Sequence, residues 1–119
     1  MRVLRLLPAL LLTACATCPP GWAADVPEDN GWLHAAGSSG EVFVEADARN
    51  VALTRAARRI ADVLDLDVER RLSVVFADGR LFVEAVGPDG PLHDLDELQL
   101  VDQAECGGTT WVLVRLPRP

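Results

Sequence analysis

The chain has 119 residues, a length that suits one small domain. Half of the residues are apolar, so the chain can bury a core, and this composition excludes wholesale disorder. Its eleven basic residues are all Arg, they face eighteen acidic residues, and the formal net charge is −7. No nucleic-acid partner is expected, because binding to phosphates needs a basic surface.

The first fourteen residues have the pattern of a bacterial export signal. A short basic start over residues 1–5 precedes an apolar run over residues 6–12, which is too short to span a bilayer. Leu12-Thr13-Ala14-Cys15 then resembles the lipobox of bacterial lipoproteins, in which an apolar residue and two small ones precede a cysteine. The resemblance implies cleavage before Cys15 and a diacylglycerol on its sulfur, which anchors the chain to a membrane.

The residue after the predicted anchor indicates the destination. In Gram-negative bacteria an Asp at this position implies retention at the inner membrane, and this chain has Ala16 instead. The resemblance therefore implies the periplasmic face of the outer membrane. An ordinary secretory signal is the alternative, because Ala14-Cys15-Ala16 also satisfies the small-x-small rule for cleavage, and the product would then be a soluble periplasmic protein.

The cysteine count fits the lipoprotein interpretation. The chain has three cysteines: Cys15, Cys18 and Cys106. If two of them form a disulfide in an exported protein, the third is left as a thiol whose role must be explained. Lipidation of Cys15 accounts for that thiol, and Cys18 and Cys106 can then form a disulfide in the oxidising periplasm. The competing interpretation is a C-x-x-C redox motif over residues 15–18, but the sequence lacks the strand and helix that present such a motif.

Residues 15–40 are predicted to contain the lipidated cysteine and a flexible tether. Pro and Gly are dense between residues 19 and 40, which disfavours regular elements. Trp22, Trp32 and His34 lie in this stretch. The two tryptophans are expected to dock the tether on the domain or to lie near the membrane surface, and a binding role is the alternative.

The folded domain is predicted over residues 41–119. Residues 41–46 alternate as a strand with Val42 and Val44 inward, and Asp47 is a candidate cap for the helix that follows. Residues 48–65 are rich in Ala, Leu and Arg and carry an apolar stripe at helical spacing.

Two hairpins are predicted after the helix. Asp78-Gly79 lies between two apolar runs and calls for a two-residue type I′ turn that pairs Ala77 with Arg80. This register gathers six apolar residues on one face: Leu72, Val74, Phe76, Leu81, Val83 and Ala85. The order of strand, helix, hairpin and hairpin predicts an α+β fold, with one amphipathic helix packed on an antiparallel sheet of about five strands.

The second hairpin is predicted to turn at Gly107-Gly108. Pairing Cys106 with Thr109 places Val101, Val112, Val114 and Leu116 on one face of this hairpin. The other face then carries Trp111, Leu113 and Leu100. A strand that is apolar on both faces is either covered by other parts of the protein on both sides or exposes an apolar surface that can bind a partner. We expect these three residues to form an interface with another protein, because aromatic anchors dominate the energetics of interfaces.

No constellation in the sequence indicates catalysis. Its serines and histidines are not arranged as a nucleophile with a base, and there is no phosphate-binding glycine loop or dinucleotide fingerprint. His93, Asp94, Asp96 and Glu97 form a compact cluster that could hold a divalent cation, but a polar loop or the start of a helix is the expected role. The chain is predicted not to be an enzyme, and no cofactor, metal or small-molecule substrate is inferred.

The layout resembles small envelope lipoproteins of the LPP-twenty type. The matching segments are the Ala- and Arg-rich residues 48–59, Leu100-Val101-Asp102, and residues 108–116 with their Trp-Val-Leu-Val core. The resemblance implies a non-catalytic component of the cell envelope and carries over no functional residue except Cys15. We therefore expect a lipid-anchored accessory or assembly protein; the alternative is a soluble periplasmic binding or inhibitor protein with a Cys18–Cys106 disulfide and no lipid.

Overall fold

The structure, a computed structural model, describes residues 18–41 and 45–119. The predicted signal, Cys15 and the valines at 42 and 44 lie outside the described residues. The fold is α+β, as predicted. Its elements in chain order are helix α1 (Gly21–Ala24), strand β1 (Trp32–Glu41), helix α2 (Glu45–Val63) and strands β2 (Arg71–Ala77), β3 (Arg80–Gly87), β4 (Gly90–Pro91), β5 (Gln99–Cys106) and β6 (Thr109–Pro117).

The strands form two antiparallel sheets of three strands each, which corrects the prediction of one sheet of about five. The first sheet has the order β1-β6-β5, and the second has the order β2-β3-β4. Strand β3 runs close to β5, but within the described part of the chain no backbone pairing joins the two. Helix α2 packs on β1, β6 and β2, so that both sheets and the helix enclose one hydrophobic core.

Helix α2 supplies much of that core through small side chains. Its apolar stripe follows the predicted spacing up to Ile60, but Val63, which the same spacing assigns to the stripe, is 69% exposed. Six residues of the helix are almost fully buried: Ala52, Leu53, Ala56, Ala57, Ile60 and Ala61. The helix begins at Glu45, so Asp47 lies inside its first turn and is not the predicted cap.

A left-handed residue ends helix α2. Asp65 has φ 56°, and its amide donates to the carbonyl of Asp62 at 3.1 Å. The next amide, that of Leu66, reaches back to the carbonyl of Ala61 at 2.9 Å. These two bonds form a Schellman motif, which satisfies carbonyls that the helix itself leaves unpaired.

Strand β1 corrects the predicted tether, because residues 32–40 belong to the folded domain. The segment was expected to be flexible since it contains Gly37 and Gly40 with two serines between them. In the structure these small residues allow helix α2 to lie directly on the strand. A Cβ added to Gly37 would stand 2.7 Å from the amide nitrogen of Ala56 and would also collide with the carbonyl oxygen of Ala52. Glycine is required by this close approach, not by flexibility.

The first hairpin, β2–β3, is confirmed down to its register. Ala77 pairs with Arg80, and both turn residues, Asp78 at φ 54° and Gly79 at φ 78°, have the positive φ of a type I′ turn. The six residues predicted to share a face are buried or packed against the core.

The free edge of β2 is closed by side chains of helix α2. The amide of Val74 donates to Thr54 Oγ1 at 3.0 Å, and the amide of Phe76 donates to Asn50 Oδ1 at 3.1 Å. Two unpaired donors of an edge strand therefore have acceptors inside the domain, which protects the edge from pairing with another chain.

Candidate functional site

A disulfide joins Cys18 to Cys106, as the sequence suggested. The two Cα atoms lie 5.7 Å apart, and 88 residues separate the cysteines in sequence. Cys106 ends β5 and pairs with Thr109 across the Gly107-Gly108 turn. The partner of Cys18 is therefore not Cys15, and the C-x-x-C interpretation is wrong.

The disulfide holds the N-terminal segment, residues 18–31, on the second face of the first sheet. This back face is the one turned away from helix α2, and it includes Ala36, Trp111 and Leu113. Helix α1 contacts both β1 and β6, and Trp22 Nε1 donates to Asp102 Oδ2 at 3.1 Å. The segment that was predicted as a tether is thus a layer of the fold, and the strand β6 is covered on both sides.

This layer changes the predicted interface of Trp111, Leu113 and Leu100. Leu113 is 3% exposed, so it cannot be an accessible contact residue in this fold. Trp111 is half-buried on the same back face, opposite Ser38 of β1. Both side chains were expected to meet a partner protein, but the coverage they need comes from the chain's own N-terminal segment.

A β-bulge corrects the position of Leu100. Leu100 pairs with Val114 and Asp102 pairs with Leu113, so Val101 is the extra residue between them. The bulge turns Leu100 toward the core, where it packs against the buried cluster, and leaves Val101 44% exposed. The alternation drawn from the sequence assumed a regular strand and assigned these two residues to the wrong faces.

The outer face of the first hairpin presents an accessible apolar pair instead. Val75 and Phe82 lie opposite each other in the register and are 40% and 43% exposed. The Arg80 guanidinium stacks over the Phe82 ring at 4.7 Å. Arg71 and Glu84 form an exposed ion pair of 2.7 Å on the same hairpin. We define Val75, Phe82 and Arg80 as the hairpin patch.

The signal for this patch is present in the sequence. Val75 and Phe82 are a cross-strand pair of large apolar residues on the face of the hairpin where the pattern calls for polar ones. An apolar residue on the solvent side of a strand is informative when its cross-strand partner is apolar too. The two belong together only because Asp78-Gly79 fixes the register.

A shallow groove of about 480 Å³ adjoins the hairpin patch. It runs between helix α2 and the edge of β2, and its lining is Asp47, Asn50, Val51, Thr54, Arg55, Ser73, Val74 and Val75. Val75 belongs to both the groove and the patch, so the two surfaces are continuous. Arg55 does not point freely into this groove, since its guanidinium donates to the carbonyl of Ser38 at 2.9 Å.

The acidic cluster near residue 93 is a polar turn at the surface. His93 Nδ1 and Asp96 Oδ2 lie 2.9 Å apart, and both side chains are more than half exposed. Within the described ranges, no three His, Cys, Asp or Glu side chains come together in a way that could hold a metal ion. In the same part of the chain, no helix has both the length and the apolar character needed to cross a bilayer.

Comparison with known proteins gives no relative for this chain: no family model, no curated protein and no solved structure matches it.

Proposed function

We propose that this chain is a non-catalytic lipoprotein, anchored through Cys15 to the periplasmic face of the outer membrane, which acts as a protein-binding accessory of the cell envelope. The observation that carries the exported location is the Cys18–Cys106 disulfide, which the soluble alternative shares. Disulfides persist in oxidising compartments outside the cytoplasm. With two of the three cysteines bonded to each other, the remaining one is the cysteine of the lipobox-like Leu12-Thr13-Ala14-Cys15.

The hairpin patch is the surface we propose for the protein partner. Aromatic and Arg side chains are enriched in the centres of protein interfaces, and Phe82 and Arg80 offer both within one stacked pair. The groove beside Val75 can receive an apolar side chain of the partner. The hairpin patch replaces the surface around Trp111 and Leu113 as the proposed contact, because Leu113 is buried in this fold.

An accessory role in envelope assembly follows from the resemblance to LPP-twenty lipoproteins and stays a part of the proposal. The protein would place one partner-binding surface at the membrane and perform no chemistry of its own. Two acyl chains or more are needed for stable anchoring, since a single chain gives only reversible binding to a membrane.

Mass spectrometry of the protein extracted from membranes tests the anchor. The expected product begins at Cys15 and carries a diacylglycerol. A Cys15→Ser variant should leave the membrane fraction, whereas the matched Cys18→Ser variant should lose the disulfide and remain in it. A water-soluble natural product with an unmodified Cys15, or one cleaved at another position, would establish the soluble periplasmic alternative instead.

Crosslinking in intact cells tests the binding surface. Phe82→Ser should abolish the crosslinked partner band without changing the amount of folded protein. Val63→Ser is the matched control, because Val63 is also an exposed apolar residue (69%) but lies on helix α2, outside the patch. Equal loss of the band in both variants, or in neither, would rule out the hairpin patch as the contact.

A further inference from the structure

We infer that the disulfide fixes the orientation of the anchored protein, so that the Gly107-Gly108 turn faces the lipid bilayer and the opposite end of the domain points into the periplasm. The inference rests on the proposed lipid at Cys15 and adds to it the surface that meets the membrane. It begins from the length of chain between the anchor and the fold. Only three residue steps separate Cys15 from Cys18.

Three steps allow little freedom. A fully extended chain spans at most about 3.6 Å per residue, so the Cα atom of Cys18 lies within roughly 11 Å of the Cα atom of Cys15. A flexible tether over residues 15–40 would have had a root-mean-square length of roughly 28 Å, enough for the domain to tumble. The disulfide removes that freedom because it holds Cys18 on the sheet.

The disulfide also decides which end of the molecule is close to the membrane. Cys106 ends β5 at the Gly107-Gly108 turn, and Thr109 beyond the turn pairs with Glu41 at the end of β1. Both glycines of the turn are exposed. They carry no side chain that would hold the sheet away from the lipid headgroups.

The far end of the domain lies about 30 Å from this turn, because β6 is nine residues long and a strand rises about 3.3 Å per residue. That end carries exposed carboxylates such as Asp62 and Asp94, but Arg58 and Arg118 line the same surfaces. The turn end has an exposed acid of its own, Glu105, so the orientation follows from the short link and not from charge.

Two tryptophans report the orientation, because they lie at different heights along the paired strands β1 and β6. Trp111 pairs with Ser38, near the membrane end, and Trp32 begins the strand, roughly 20 Å farther away. Trp22→Phe/Trp32→Phe retains Trp111, and Trp22→Phe/Trp111→Phe retains Trp32. Each lipidated protein is reconstituted in vesicles that contain lipids with a dansyl group on the headgroup, and energy transfer from Trp to dansyl is measured.

We expect transfer from Trp111 to exceed transfer from Trp32 several-fold. In both proteins, inserting about twelve Gly and Ser residues between Ala16 and Thr17 should abolish the difference, since a link of that length lets the domain tumble. Equal transfer from the two tryptophans, or a difference that survives the insertion, overturns the inference. If the single-tryptophan proteins do not fold, the lipidated wild type is compared with its own insertion variant. Energy transfer that is as high in the insertion variant as in the wild type then overturns the inference.

The outcomes separate this inference from the proposed function. Absence of the lipid in the mass spectrum refutes the anchor before any vesicle is made. A lipidated protein with equal transfer from both tryptophans keeps the anchor and refutes only the fixed orientation.

Discussion

The two hairpins of this fold have similar turns but opposite surroundings. The first, β2–β3, packs one face on the core and leaves Val75 and Phe82 on the other face open to solvent. The second, β5–β6, has helix α2 on one face of its sheet and the N-terminal segment on the other. An apolar outer face therefore has two meanings in one small protein: on β6 it is an internal contact, and on the first hairpin it is an accessible surface.

The difference depends on a long-range crosslink. The N-terminal segment has a four-residue helix of its own, and the indole of Trp22 makes a side-chain hydrogen bond to the sheet. Near the other end of the segment, Arg118 donates to the carbonyls of Asp29 and Gly31 at 3.0 Å each. A segment of this kind does not stay on a surface without support, because ordering each residue costs about 1–2 kcal/mol of backbone entropy. The bond between Cys18 and Cys106 holds the start of the segment, which Arg118 does not reach, and completes the back face.

Removing that bond is expected to have the largest effect on stability. The double variant Cys18→Ala/Cys106→Ala should lower the free energy of unfolding by about 4 kcal/mol, because the disulfide closes a loop of 88 residues. Denaturant titration of the purified protein measures the change. The same titration of the wild type under reducing conditions is the control. A loss below about 1 kcal/mol would mean that the back face is held by other contacts.

The next largest effect is expected at Leu113, which tests whether the back face is a second core. Leu113→Ala should cost about 3 kcal/mol, as for other leucines truncated at buried sites. Phe82→Ala on the first hairpin is the matched comparison, and it should cost less than about 1 kcal/mol because that ring is already 43% exposed. Equal losses in the two variants would contradict the contrast between the hairpins.

Gly37 tests the opposite face of the same sheet. Gly37→Ala should destabilise the protein by about 2 kcal/mol, because the new methyl group would overlap backbone atoms of helix α2 and neither element can move freely. Gly31→Ala is the control: its added Cβ would meet only the Asp29 carboxylate at an ordinary 3.5 Å. Thermal unfolding followed by circular dichroism compares the two. A neutral Gly37→Ala would show that the helix lies farther from β1.

The parts of this fold that could be predicted are those in which a local signal sets the geometry. Asp78-Gly79 and Gly107-Gly108 fix their turns, and the pairing of the adjacent residues follows from the two-residue loops. The register of the first hairpin then extends without interruption to Arg71 and Val86.

The parts that were missed depend on contacts between distant segments. Gly37 and its small neighbours resemble a linker until helix α2 is placed on them, 15 and more residues later in the chain. The bulge at Val101 has no counterpart in the alternation of the strand, and the burial of Leu113 requires a segment that is joined to the sheet only through Cys18. The apolar pair of Val75 and Phe82 on the first hairpin can be recognised in the sequence. Its choice as the binding surface depends on the structure, which shows that the apolar outer face of the second hairpin is covered.

The smallest effect is expected at the edge of the first hairpin. Asn50→Ala removes the acceptor for the amide of Phe76 and should lower the free energy of unfolding by about 1 kcal/mol, the usual net value of one hydrogen bond. Asn50→Asp is the matched control, because it keeps an acceptor oxygen at the same place and should lose less. The alanine variant also leaves the β2 edge with an unpaired donor, so we expect more self-association at high concentration, measured by sedimentation. If alanine and aspartate destabilise the protein equally, the amide of Phe76 gains nothing from Asn50, and the edge of this hairpin is protected by other means.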